Sequence, residues 1–154
     1  MQQIFSVLDV DILQKYPYNV PKGTNSQIFI GARQMRKNDL AAVKKCILFS
    51  SAQEQTVYSL FDKEKFTIAS YKKNEDIFTP EAYSKSLAVI LSRAASVYKS
   101  NTLMSILTTG AVFGMSVLFY EAEDFPTTVK AREDCRVLFI TKEQLNEIFR
   151  KDPI

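Results

Sequence analysis

From Phe66 onward the chain is cut into short runs of strand-forming residues with a turn signal between each pair. The spacing is roughly 8–12 residues, which confines the fold to a sandwich or barrel. Phe66, Ile68 and Ser70 alternate with Thr67, Ala69 and Tyr71, and Lys72-Lys73-Asn74-Glu75 forms a turn. Asparagine is the side chain that best tolerates positive φ there. Residues 76–79 make a strand stopped by Pro80. The run 87–91 (LAVIL) is wholly apolar, so it is expected to be buried on both faces. Ser92-Arg93 turns into 95–98, and Ser100-Asn101 turns into 103–107. The pattern predicts a mainly β protein.

Within this frame, residues 105–140 organise the rest. An apolar strand reaches Thr108-Thr109-Gly110, and a second apolar run leads to Phe113-Gly114. The segment MSVLFYEAED follows, and Phe125-Pro126-Thr127-Thr128 opens a new strand. Over 127–132, Thr127, Val129 and Ala131 fall on one face and Thr128, Lys130 and Arg132 on the other. Glu133-Asp134 makes a turn before a last strand over 135–140. A glycine where a strand becomes one helical turn leaves backbone N–H groups unpaired and pointing one way, a ready cradle for an anion or ligand.

The flanks are helical. Residues 1–36 are expected to form an arm on the domain or on a second subunit, interrupted by Tyr16-Pro17 and Val20-Pro21, with a short strand at 27–30. Leu40, Val43 and Lys44 predict a helical turn or two, and Ser51 with Glu54 reads as a capping box opening a second helix to about Asp62. These two helices are expected to form a lid rather than core. Thr141 is the predicted N-cap of a closing helix over 142–151 with Leu145, Ile148 and Phe149 on its buried stripe. No recognition helix, zinc-finger spacing or basic arm follows within the sequence.

Chemistry is narrowed by what is missing. The 154 residues contain no histidine, which removes the usual general base and zinc ligand together. Cys46 and Cys135 cannot supply a four-ligand metal or cluster site, and each sits in an apolar run where a buried free thiol is expected. No cofactor is implied, and an enzyme is not expected. A net charge of +3 with scattered lysines does not argue for nucleic acid. No apolar run approaches the roughly 20 residues that span a bilayer. MQQIFSVLDVD lacks a basic signal-peptide start, so no membrane association and a cytoplasmic location are expected.

The ordered set of motifs resembles the Crp/Fnr-type, cyclic-nucleotide-binding sensor domain. LAAVKKCILFSS is similar to its entry segment, YKKNEDIF to its first hairpin, and LAVILSRAASVYKSN to its central strands. TTGAVFG resembles the approach to its ligand cassette, and TTVKAREDCRVLFITKEQLNEIF its exit strands and closing helix. The resemblance implies a double-stranded β-helix jelly roll with flanking short helices over 37–154, preceded by the arm at 1–36. It places the ligand-binding positions at Phe113, Gly114, Met115, Ser116, Val117, Phe125, Pro126, Thr127 and Thr128.

The chain departs from the family at two chemical positions. Members that bind cyclic nucleotides follow the cassette glycine with a glutamate that holds the ribose, and here Met115 stands there. They place a phosphate-binding arginine where this chain has Phe125, and Glu121, Glu123 and Asp124 add like charge beside it. Each charge-assisted bond lost is worth about 1.5–3 kcal/mol. Tight binding of cyclic AMP or cyclic GMP is therefore not expected.

Two readings stand. In one, the domain senses a small effector other than a cyclic nucleotide, in a pocket lined by Met115, Val117, Leu118, Phe125 and Thr128. DNA would then be read only through a helix-turn-helix domain that this sequence does not contain. In the other, a ligand-free roll serves as a homodimerisation or protein-interaction domain. A related cupin-type enzyme needs metal-binding histidines the chain lacks.

Overall fold

The computed structural model describes residues 27–30, 35–63, 66–119 and 126–151. In chain order these form β1 (Gln27–Ile30), α1 (Lys37–Lys45), α2 (Glu54–Lys63), β2 (Thr67–Tyr71), β3 (Asp76–Phe78), β4 (Ser86–Ser92) and β5 (Ala94–Lys99). They continue through β6 (Thr102–Thr108), β7 (Val112–Phe113), α3 (Met115–Phe119), β8 (Thr128–Ala131), β9 (Cys135–Thr141) and α4 (Lys142–Lys151). One sheet has the order β1-β2-β9-β4-β7, the other β3-β8-β5-β6, and every pairing is antiparallel. This is the predicted jelly roll with short flanking helices.

Two core layers explain the apolar run in β4. Leu87, Val89 and Leu91 join α1, α2, α4 and alternate residues of β2 and β9 in one buried cluster. Ala88 and Ile90, on the opposite face, pack with Phe78, Ala95, Val129 and Ala131 from the second sheet. A strand sandwiched this way has no solvent face to make polar.

The helices belong to that core, correcting the expectation of a lid. Ala42, Val43, Cys46, Phe49, Val57 and Phe61 are all buried. Phe61 lies 4.5 Å from Phe66 and 5.7 Å, edge-on, from Phe49. Each such side chain removed from water contributes about 1.5–3 kcal/mol, far more than a solvated lid could supply. The Ser51–Glu54 capping box does not form either, because α2 begins at Glu54 itself. The turn before it is held by Lys44, whose Nζ donates to the Ala52 carbonyl. The reciprocal box does form at α4, where Thr141 N–H donates to Gln144 Oε1 at 2.9 Å and Gln144 N–H to Thr141 Oγ1 at 3.1 Å.

YKKNEDIF is not a hairpin. Its turn carries the chain from β2 in the first sheet to β3 in the second. Asn74 takes φ 71° there, and its N–H donates to Ala131 O at 2.8 Å. Two further crossings, Arg93 between β4 and β5 and residues 132–134 between β8 and β9, meet the same corner. Arg132 N–H donates to Ala94 O at 3.0 Å, and Lys73 N–H to Asp134 Oδ1 at 2.9 Å. At the opposite end of β5, a tight hairpin turned by Ser100 at φ 52° leads into β6. β6 forms the outer edge of its sheet, with Leu103, Met104 and Ile106 exposed at 46%, 57% and 46%.

Candidate ligand cassette

The cassette is built outward from β4. Gly110 N–H donates to Ile90 O at 2.8 Å, and Ile90 N–H donates to Ala111 O at 3.0 Å. β7 continues the pairing, with Val112 opposite Val89 and Phe113 opposite Ala88. Phe113 is buried, its ring edge-on to Phe78 at 5.2 Å. Gly114 then turns the chain at φ +84°, and a Cβ on it would lie 2.6 Å from the Ser86 carbonyl oxygen. Both facts require glycine: the left-handed region strains other residues, and the space is already taken by backbone.

α3 is a single turn, closed by Leu118 N–H donating to Gly114 O at 3.2 Å. Its two inward residues reach different layers, with Leu118 in the helix-side cluster and Val117 in the inter-sheet cluster. Met115, Ser116 and Phe119 face outward, Met115 at 41% exposure. So Gly114 and the predicted frame are in place, Phe113 and Val117 serve in the core, and Met115 and Ser116 are at the surface. Phe125, Glu121, Glu123 and Asp124 lie outside the described residues.

Pro126 and Thr128 line a cleft of about 630 Å³ on the outer side of the second sheet, which takes in none of residues 113–117. Thr127 is half-buried beside it. Its floor follows from register, since Thr128 pairs with Tyr98 and Lys130 with Asp76, and the alternation over β8 turns Thr128 and Lys130 away from buried Val129 and Ala131. Glu81 and Asn101 complete its polar wall. Lys130 Nζ sits 3.4 Å from Asp76 Oδ1, so the cleft's ammonium is already matched by a carboxylate, and Glu81 leaves an excess of negative charge. This arrangement repels an anion. The outward positions of Lys130 and Thr128 follow from the 127–132 alternation, whereas Asp76, Glu81, Tyr98 and Asn101 come from strands whose pairing no local pattern reveals.

Burial favours the neutral form of three groups, Cys135, Tyr71 and Cys46. Desolvation, reinforced by the negative charges of Asp134, Glu133 and Glu75, pushes the Cys135 thiol up to about 12. Burial likewise raises Tyr71, followed by the charges of Cys135 and Glu75. Cys46 is raised, again chiefly by desolvation. Among the described residues no group of three or more acidic or cysteine side chains is placed to hold a metal ion. No described helix is long and apolar enough to cross a membrane.

This fold recurs in solved structures. A regulatory protein of Silicibacter pomeroyi DSS-3 superposes with a TM-score of 0.62 at 23% identity over 77% of this chain and 55% of its own. The Thermus thermophilus catabolite activator protein gives 0.60 at 20% identity, over 69% and 51%. The sensor domain of the transcriptional regulator DNR from Pseudomonas aeruginosa gives 0.57 at 10% identity, over 73% and 80%. The chain thus spans about half the length of the first two. No curated protein sequence matches it. The family model described as "Cyclic nucleotide-binding domain" matches residues 68–152, from within β2 to just past the end of α4. That match covers more than half of the chain and every strand of the roll except β1, and on it the chain belongs to the cyclic nucleotide-binding domain family.

Proposed function

We propose that this domain is the effector-sensing part of a Crp/Fnr-type transcription regulator, with residues 1–36 as its arm and 37–154 as the sensor, and that its effector is not cyclic AMP or cyclic GMP. The observation that carries the reading is the residue after Gly114. The turn that presents a ligand is intact, yet Met115 offers a thioether where a ribose hydroxyl needs a carboxylate acceptor. The surplus of carboxylates over ammonium groups in the neighbouring cleft supports it. An apolar or aromatic small molecule suits the exposed thioether of Met115 better than a phosphate diester. DNA contact belongs to another part of a full-length regulator.

Isothermal titration with cyclic AMP and cyclic GMP is the direct test, and a micromolar or tighter dissociation constant for either overturns the exclusion. Thermal unfolding against a metabolite panel tests the sensing role. A true effector at 100 times its dissociation constant adds about 2.7 kcal/mol to stability.

A second reading, that the roll is an interaction domain without a ligand, is favoured by one observation, the uncovered apolar side chains on β6. A panel that yields no stabilising compound together with a protein partner seated on β6 would select it.

A further inference from the structure

The cleft on the outer side of the second sheet is held between two closed turns. One wall is the turn from Thr79 to Ala82. Thr79 N–H donates to Ala82 O at 2.9 Å, and Ala82 N–H donates back to Thr79 O at 3.2 Å and Oγ1 at 3.0 Å. Pro80 fixes φ at the second position of this turn, so Glu81 is presented on a rigid tip. The other wall is the hairpin tip of Ser100 and Asn101, with Ser100 at φ 52°. Tyr98 pairs with Thr128 across the floor. α1, α2 and α4 pack on the first sheet and leave this face uncovered. The volume of about 630 Å³ falls within the range of small-molecule sites, about 300–1,000 Å³.

Asp76 Oδ1 gives the cleft its chemistry. This oxygen is buried and accepts no hydrogen bond from the described residues. Lys130 Nζ stands 3.4 Å from it, beyond the roughly 2.7–2.9 Å of a charge-assisted bond. A buried acceptor left without a donor is rare in folded proteins and calls for one. With Glu81, the cleft holds two carboxylates against one ammonium, although the chain as a whole has a net charge of +3. We propose that this cleft is a binding site for a small organic cation, a molecule carrying a primary ammonium group. Lys130 is its tethered stand-in, an ammonium loosely filling the place that the ligand takes. The Lys130 and Asp76 side chains are 40% and 42% exposed, and an ion pair so open to water costs little to displace. The incoming ammonium brings N–H donors to the carboxylates, and Tyr98 adds a π-system that favours a cation. The site is separate from the cassette, since it takes in none of residues 113–117.

The test follows the amides of the isotope-labelled full chain by NMR during titration with diaminobutane, butanediol and succinate. These probes share a four-carbon chain and differ in end groups that are cationic, neutral and anionic. The diamine is expected to bind with a dissociation constant of about 1 mM or tighter, as a ligand of few atoms allows. It should shift Asp76, Tyr98, Asn101 and Lys130 and leave residues 113–117 unmoved. Neither the diol nor succinate should do so. Lys130→Ala should tighten diamine binding roughly fivefold by removing the internal competitor, and Glu81→Gln should weaken it by a similar factor. Circular dichroism and the thermal midpoint establish that each variant is folded. Three results overturn the proposal: equal shifts with the diol, weaker diamine binding in folded Lys130→Ala, or no shift at about 10 mM diamine, ten times the expected constant. None of these outcomes depends on whether the cassette binds an effector.

Discussion

Asp39 on α1 and Arg136 on β9 meet at 3.0 Å with their side chains 4% and 11% exposed. Asp39 Oδ2 also accepts from Arg36 N–H at 2.8 Å, so one carboxylate both starts the helix and pins it to the sheet. Removing one partner strands a buried charge. Asp39→Ala is expected to cost about 3–5 kcal/mol in urea unfolding. Replacing both residues with apolar ones of similar volume should recover most of that loss, and failure to recover it would show that the pair does more than satisfy itself.

Gly114→Ala combines a left-handed backbone, about 1–2 kcal/mol, with a Cβ directed at the Ser86 carbonyl. Chemical denaturation should show a loss of at least about 2 kcal/mol, well above that of Ser116→Ala on the exposed side of the same turn. Equal effects at the two positions would contradict the packing described.

Cys135 sets an alkaline limit. Its thiol titrates near 9.0 when exposed and at about 12 in the fold. A folded value above the unfolded one means that the contribution is complete below pH 9.0 and is lost as pH rises toward 12. Stability should therefore fall across that window, and less steeply in Cys135→Ala, with buried Tyr71 adding in the same direction. At pH 8 neither cysteine should react with iodoacetamide until the chain unfolds.

Restoring the family's two charged groups tests the reading of the cassette. Met115→Glu with Phe125→Arg should create measurable cyclic AMP binding by titration, each charge-assisted bond adding about 1.5–3 kcal/mol, or roughly ten- to a hundredfold. No gain in the double variant, with folding intact, would place the obstacle elsewhere in the cassette.

Much of the architecture was legible because local rules act strongly here. LAVIL shows its double burial in its composition, Asn74 its positive φ, and Thr141 its N-cap, although its Gln144 partner came only with the structure. What escaped reading is non-local. Ser51 and Glu54 have the right spacing for a cap, but packing of Val57 and Phe61 and the Lys44 contact set where α2 starts. Helices with a single apolar stripe look like a lid until Phe49, Phe61 and Phe66 are seen together. YKKNEDIF has the local form of a hairpin, and only the partners of β2 and β3 reveal a sheet crossing. At the site, Gly114 was identifiable from its place in the chain, whereas the cleft around Tyr98 and Lys130 depends on strand registers that no short segment encodes.

β9 lies between β2 and β4, so the last described strand to be made is the one that joins β2 to the central β4. Tyr71 pairs with Cys135 and Thr67 with Phe139. During synthesis at about 5–20 residues per second, roughly 4–14 s pass between completing β2 and completing β9. Until β9 is made, β2, and β4 once it follows, each hold an apolar edge open to any other strand. Closing so long a loop also places refolding among the slow, millisecond-to-second folders. Newborn chains of this protein thus have a window of vulnerability set by topology and by the rate of synthesis, one that a chaperone can cover but not shorten.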